Sequence, residues 1–184
     1  MKLSNKSNRK GCRLNRCPQL LIVLLLTLII FIIHLTLPVY SAVKIFSDFN
    51  TTKYFIVKEN SELYIDYIHS VMKTPVRDVF EVKKNNTLLL VRTEYSSFGA
   101  GLPTENYGTI QLVDGVYINR GINKELTIIP LRVGAIANHK VQLEDGRFIF
   151  LKDFINVGSL VKIKAVKISR LQAFFIEGRN RIGG

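Results

Sequence analysis

Tryptophan is absent from the 184 residues, and there are only two cysteines and five prolines. Scarce cysteine excludes a disulfide-stapled mini-protein, and 47% hydrophobic residues exclude a disordered tail. Both thiols, Cys12 and Cys17, precede the long apolar run, whereas a lipid-bearing cysteine would have to follow it. A Cys-x4-Cys pair in a basic tail without further ligands is a poor zinc signature. Acidic residues are missing before Asp48. A dinucleotide-binding loop is missing too: Ser96 to Pro103 holds Gly99 and Gly101 around Ala100 but lacks a third glycine and a following helix. No cofactor is expected.

The first sixteen residues carry Lys2, Lys6, Arg9, Lys10, Arg13 and Arg16. Leu20 to Leu37 follows as an apolar run broken only by Thr27, His34 and Thr36. As a helix it would measure about 27 Å, against a hydrocarbon core of about 30 Å. Cytoplasmic flanks retain positive charge, so the expected organisation is a basic cytoplasmic tail (1–19), a transmembrane helix or signal anchor (20–40) and an extracytoplasmic domain (43–184). The protein is thus expected in the cell membrane, single-pass. Val39-Tyr40-Ser41-Ala42 offers small residues near a cleavage point, but the run is longer than a signal peptide's apolar core, which favours an uncleaved anchor.

Six of the twelve net positive charges sit in the tail, leaving +6 on the exported part. Those basic residues are scattered among strands and not massed with aromatics, so no nucleic-acid partner is expected. Anionic lipid or envelope polymers remain compatible with the bias.

After Val43, short β-rich runs alternate with turns. Strands are expected over 54–58, 63–69, 76–83, 88–95, 109–112, 126–131, 140–144, 147–152 and 160–168, with a two-residue hairpin turn at Asp145-Gly146 and no long amphipathic helix beyond the apolar run. The fold class is all-β, an antiparallel sandwich or small barrel preceded by one N-terminal transmembrane helix. Alternation places His69 on the side of Leu63, Ile65 and Tyr67, Asp78 with Val76, Phe80 and Val82, and His139 with Val141 and Leu143.

Three polar loops sit at strand ends. His69 to Pro75 offers an imidazole, hydroxyls and the Lys73 ammonium, a small polar pocket or a capped turn. Ser70 cannot simply be activated by His69, because adjacent strand residues point apart. Ser96 to Pro103 can form an anion-binding nest or a plain turn plugged by Phe98. Val133 to His139 is the third; His69, Asp78 and His139 would be the minimum for a two-histidine, one-carboxylate metal site, but no convergence is legible and no metal is expected.

Tyr67 to Val76, Leu88 to Tyr95, Ser97 to Pro103, Leu131 to Gly134 and Asn138-His139 together resemble a bacterial domain-of-unknown-function family, numbered eighteen-fifty, over roughly Leu63 to Val166. The resemblance implies small exported proteins, often encoded beside TRAP transporters of the TAXI type, and so an accessory role in solute uptake with TRAP transporter subunits as partners. It marks His69, Ser70, Lys73, Thr74, Pro75, Phe98, Gly99, Gly101, Pro103 and His139 as shared positions. Of these, His69, Ser70, Lys73, Thr74, Phe98, Gly99, Gly101 and His139 are the expected ligand-binding set. Arg92-Thr93-Glu94 departs from the family by charge reversal. A non-enzymatic, membrane-anchored binding or accessory domain is the leading expectation. The alternatives are a cell-envelope hydrolase using His69, or a basic surface protein meeting anionic polymers.

Overall fold

The computed structural model describes residues 17–48, 51–97 and 108–182, and the chain divides into two units, Met1–Leu37 and Pro38–Gly184. The first contains helix α1, Cys17–Thr36. Its 20 residues span about 30 Å, the thickness of a hydrocarbon core. Side chains from Leu20 to Ile33 are exposed all round. Thr27 and Thr36 donate their hydroxyls to the carbonyls of Leu24 and Ile32, at 2.8 and 3.0 Å, so these polar groups are satisfied within the helix. The helix is long and apolar enough to cross a membrane.

The second unit is mostly β. Its strands are β1 (Pro38–Ser47), β2 (Thr52–Val57), β3 (Glu62–Ile68), β4 (Pro75–Val82), β5 (Leu88–Tyr95), β6 (Thr109–Val113), β7 (Val116–Leu126), β8 (Ile129–Arg132), β9 (Lys140–Leu143), β10 (Phe148–Phe150) and β11 (Leu160–Ser169), and helix α2 (Arg170–Ile182) follows. They form a four-stranded sheet, β2-β1-β11-β8, and a seven-stranded sheet, β10-β9-β3-β4-β5-β7-β6, with every pairing antiparallel. Val43, Ile45, Val161 and Ile163 from the smaller sheet pack against Leu63, Ile65, Phe80, Leu88 and Val141 from the larger. The result is a sandwich, one of the two architectures expected.

Strand β5 shows how a local irregularity preserves this core. Strict alternation from Leu88 and Leu90 would turn Arg92 and Glu94 inward. The register with β4 instead slips, Val79 facing Arg92 and Phe80 facing Leu90, so that Val91 is an extra residue. Beyond it Thr93 and Tyr95 point inward and are buried, while Arg92 and Glu94 lie outside. The partner strand β7 absorbs the slip between Arg120 and Lys124, where Gly121 and Asn123 hold positive φ of 75° and 51°.

Several expectations need correction. The strand β1 starts at Pro38, within the stretch assigned to the span; proline ends the helix just before it. Strand β7 was not expected, because Asn119, Gly121 and Asn123 read as turn residues. The single strand anticipated over 126–131 is the end of β7 and the start of β8. The anticipated 147–152 strand keeps only Phe148–Phe150 before a single 3-10 turn, Leu151–Asp153. The hairpin at Asp145-Gly146 forms with a three-residue loop, closed by Leu143 N–H to Arg147 O at 2.8 Å with Gly146 at φ 88°. Helix α2 contradicts the absence of an amphipathic helix; Ala173 and Ile176 dock it on Ala42, Ile168 and Ile56. Its apolar residues occupy two faces, which blurs the helical period.

Candidate functional site

The turn from His69 to Thr74 joins β3 to β4. His69 N–H donates to Thr74 O at 2.8 Å, and Lys73 N–H to His69 O at 3.0 Å. The imidazole folds back over the turn, and its Nδ1 accepts the N–H groups of Val71 and Met72 at 3.3 and 3.1 Å. A ring that accepts at Nδ1 carries its proton on Nε2 when neutral, so it presents a donor there and not a base. His69 is buried, as its stripe required. Ser70 and Lys73 are exposed; the Lys73 ammonium donates to Ser70 O at 2.5 Å, and Lys73 itself sits at φ 55°.

Two bonds tie this turn to the other motif loops. Thr74 Oγ1 lies 3.0 Å from Ser97 Oγ, at the start of the second motif. Ile68 N–H donates to Ala137 O at 2.8 Å, within the third. Phe98, Gly99, Gly101 and Pro103 lie outside the described residues.

His139 is buried against Tyr67, ring centroids 5.6 Å apart and tilted by 33°. Burial lowers its pKa, and its Nδ1 has no hydrogen-bond partner among the described residues. Beside it on the inner face lies a polar row, of which the sequence pattern marks Asp78 but not Thr93 or Asn119. Asp78 stands opposite Ile65 on one side and Thr93 on the other, and Thr93 stands opposite Asn119. The Asp78 carboxylate accepts from Thr93 Oγ1 at 2.8 Å and from the Tyr67 hydroxyl. Burial pushes Asp78 above the usual carboxylate value, against the pull of those two bonds, and it also pushes the Tyr67 phenol up. The alternation of Tyr67, Asp78 and Thr93 onto one face was the available signal, once the bulge in β5 is known. His69, Asp78 and His139 do not gather into a group able to hold a metal ion; the described residues contain none.

The outer face of the same sheet carries an ionic lattice of two clusters. Asp66 takes Arg77 at 2.6 Å and Lys140 at 2.8 Å. Arg92 takes Glu62 at 2.6 Å and Glu94 at 2.9 Å, and Tyr64 OH donates to Glu62 at 2.7 Å. Burial alone would raise Asp66, but the bonds from Arg77 and Lys140 outweigh it and hold the carboxyl below its usual value. Arg92 and Glu94, the charge-reversed pair, are therefore a mutually bonded couple on this face.

At the turn end of the lattice opens a cleft of about 430 Å³. Ile68 and Pro75 line it at the two ends of the first motif, Ser96 from the second and Asn138 from the third, whereas His69, Ser70, Lys73, Thr74 and His139 of the expected ligand-binding set do not. Asp66, Arg77, Glu94 and Lys140 supply charge, and Val116 and Phe150 apolar surface. That volume lies within the range of small-molecule pockets, about 300–1,000 Å³.

Residues 63–150 match the model of a family described as Domain of unknown function (DUF1850). The match runs from β3 to β10 and thus takes in the whole seven-stranded sheet, leaving β1, β2, β11 and α2 outside it. No curated protein and no solved structure matches the chain.

Proposed function

The chain carries a DUF1850 domain over residues 63–150, and from that premise we propose that it is a membrane-anchored, non-enzymatic binding domain that works outside the cytoplasm on a small polar solute. The observation that carries this reading is the cleft at the turn end of β3 and β4, to which all three motif segments contribute lining residues. Within it the charges are already paired, so a ligand would meet an internally neutralised rim with apolar walls. Such a rim suits a small molecule with both polar and apolar parts better than a polyanion, for which free cations would be needed. The use of His69 Nδ1 by the turn's own amides weighs against a histidine base and the hydrolase alternative. The helix α1 supports the anchor, the basic tail its orientation, and the family resemblance the accessory role beside a TAXI-type TRAP transporter.

The test is uptake of the neighbouring transporter's substrate in cells lacking the gene. Uptake is expected to fall and to be restored by the wild-type chain. Ser96→Trp, at an exposed cleft position, should fold normally and fail to restore it. Unchanged uptake on deletion removes the transporter role, and full rescue by the tryptophan variant removes the cleft.

A further inference from the structure

Helix α2 is apolar on two opposite faces. Ala173 and Ile176 pack on the four-stranded sheet. At the i, i+3, i+4 positions of the other face stand Leu171, Phe174 and Phe175, exposed at 42%, 73% and 62%. The rings of Phe174 and Phe175 touch each other edge to face, 5.8 Å between centroids, and the domain's own core does not use them. An isolated surface leucine is ordinary, but two adjacent exposed phenylalanines with a leucine one turn away form an apolar patch that something covers.

Chain connectivity says what lies near. Pro38 begins β1 two residues after Thr36 ends α1, and Pro38 pairs with Ser169, the residue before α2. Two extended residues reach at most about 7 Å, and paired strands stand about 5 Å apart. Within the second unit, the start of α2 therefore lies beside the strand end at which the chain arrives from α1. The first residues of β1 are exposed and amphipathic as well, Val39 at 43% and Tyr40 at 45%. Tyrosine at that position suits a membrane–water boundary. The charge is complementary to anionic headgroups: among its described side chains α2 carries Arg170 and Arg179 against a single acid, Glu177, and Lys44 and Lys164 stand opposite each other on the strands beneath.

We infer that α2 is an interfacial helix, which lays Leu171, Phe174 and Phe175 into the anionic headgroup region of the bilayer that holds α1. The domain is then fixed to the membrane at two points, a span and a surface helix about 20 Å long, and it cannot rotate freely about the linker. The inference rests on the proposed retention of α1 in the membrane.

The lack of native tryptophan makes the test direct. The full chain is reconstituted in vesicles of phosphatidylethanolamine and phosphatidylglycerol doped with brominated phosphatidylcholine, bearing either Phe175→Trp or, as a reference on exposed β10, Phe148→Trp. With the face seated about 5–10 Å into the headgroup boundary, Phe175→Trp should emit to the blue and be quenched at least about twofold more than the reference. Solvent-like, unquenched emission from a chain that floats with the vesicles overturns the inference and spares the anchor. Blue-shifted emission that bromine does not quench overturns it as well, since another copy or another protein would then cover the face. A chain that does not float overturns the anchor and the inference together.

Discussion

At the scale of single residues, the histidine that the family resemblance singles out serves the architecture of its own turn. His69 Nδ1 holds two amides of the β3–β4 connection, and its backbone closes the same turn at both ends. Removing the acceptor forfeits two hydrogen bonds, each worth about 0.5–1.5 kcal/mol net, or about 1–3 kcal/mol together. His69→Ala is therefore expected to lower unfolding stability by that amount in urea titration, whereas His69→Asn, whose side-chain oxygen can reach the same amides, should recover at least half of it. Equal loss in both variants would mean that the ring's packing, not its acceptor, matters. Asp78 gives a second residue-scale outcome. Its folded pKa is raised by burial above the unfolded value of about 3.9. Between those two values the unfolded chain releases the proton first, so this group's contribution falls as pH rises through the window and then stays low. Asp78→Asn should consequently be more stable relative to wild type at pH about 7 than at pH about 4, with the gap closing on acidification. The carboxylates of Asp66 and Glu62, held down by their cations, give the opposite slope in both proteins and cancel in the comparison.

At the scale of elements, the burial of His69 and His139 was readable from alternation, since both extend apolar stripes. That Thr93 and Asn119 join Asp78 in a polar row was not, because it depends on one inserted residue. A single slip at Val91 exchanges which of Arg92 and Thr93 faces the core, and nothing in Leu-Leu-Leu-Val-Arg-Thr-Glu-Tyr announces where the slip falls. Strand β7 was hidden for a related reason: the glycine and asparagines that absorb the slip are the residues that argue against a strand. Deleting Val91 tests this account. Without the inserted residue, strict alternation from Leu88 and Leu90 keeps Thr93 and Tyr95 inside and Arg92 and Glu94 outside, so no charge is buried and the strain falls on the matching slip in β7. The deletion should retain cooperative unfolding measured by circular dichroism. Val91→Ala, which keeps the register and trims a half-buried side chain, should cost about 1 kcal/mol. Loss of the cooperative transition in the deletion variant would show that the slip does more than set which side chains face the core.

At the scale of the whole molecule, the matched family segment and the folding unit differ. Residues 63–150 contain the strands of the larger sheet from Leu63 on and the cleft, though not the lattice residue Glu62, and of the smaller sheet that covers its inner face they contain only β8. Val43 and Ile45 come from β1, and Val161, Ile163 and Ala165 from β11; the first four are fully buried and Ala165 is nearly so. Each large apolar side chain contributes about 1.5–3 kcal/mol by its burial, so losing four of them removes about 6–12 kcal/mol, comparable to the entire stability of a small domain at about 5–15 kcal/mol. A polypeptide restricted to 63–150 should therefore lack a cooperative transition and bind a hydrophobic dye, because Leu63, Ile65, Phe80 and Leu88 would face water. A polypeptide of 38–184 keeps both sheets and should unfold in a single step. Cooperative folding of the shorter piece would mean that the seven-stranded sheet closes on itself without β1 and β11, and the sandwich would then be an accretion around a self-sufficient family core.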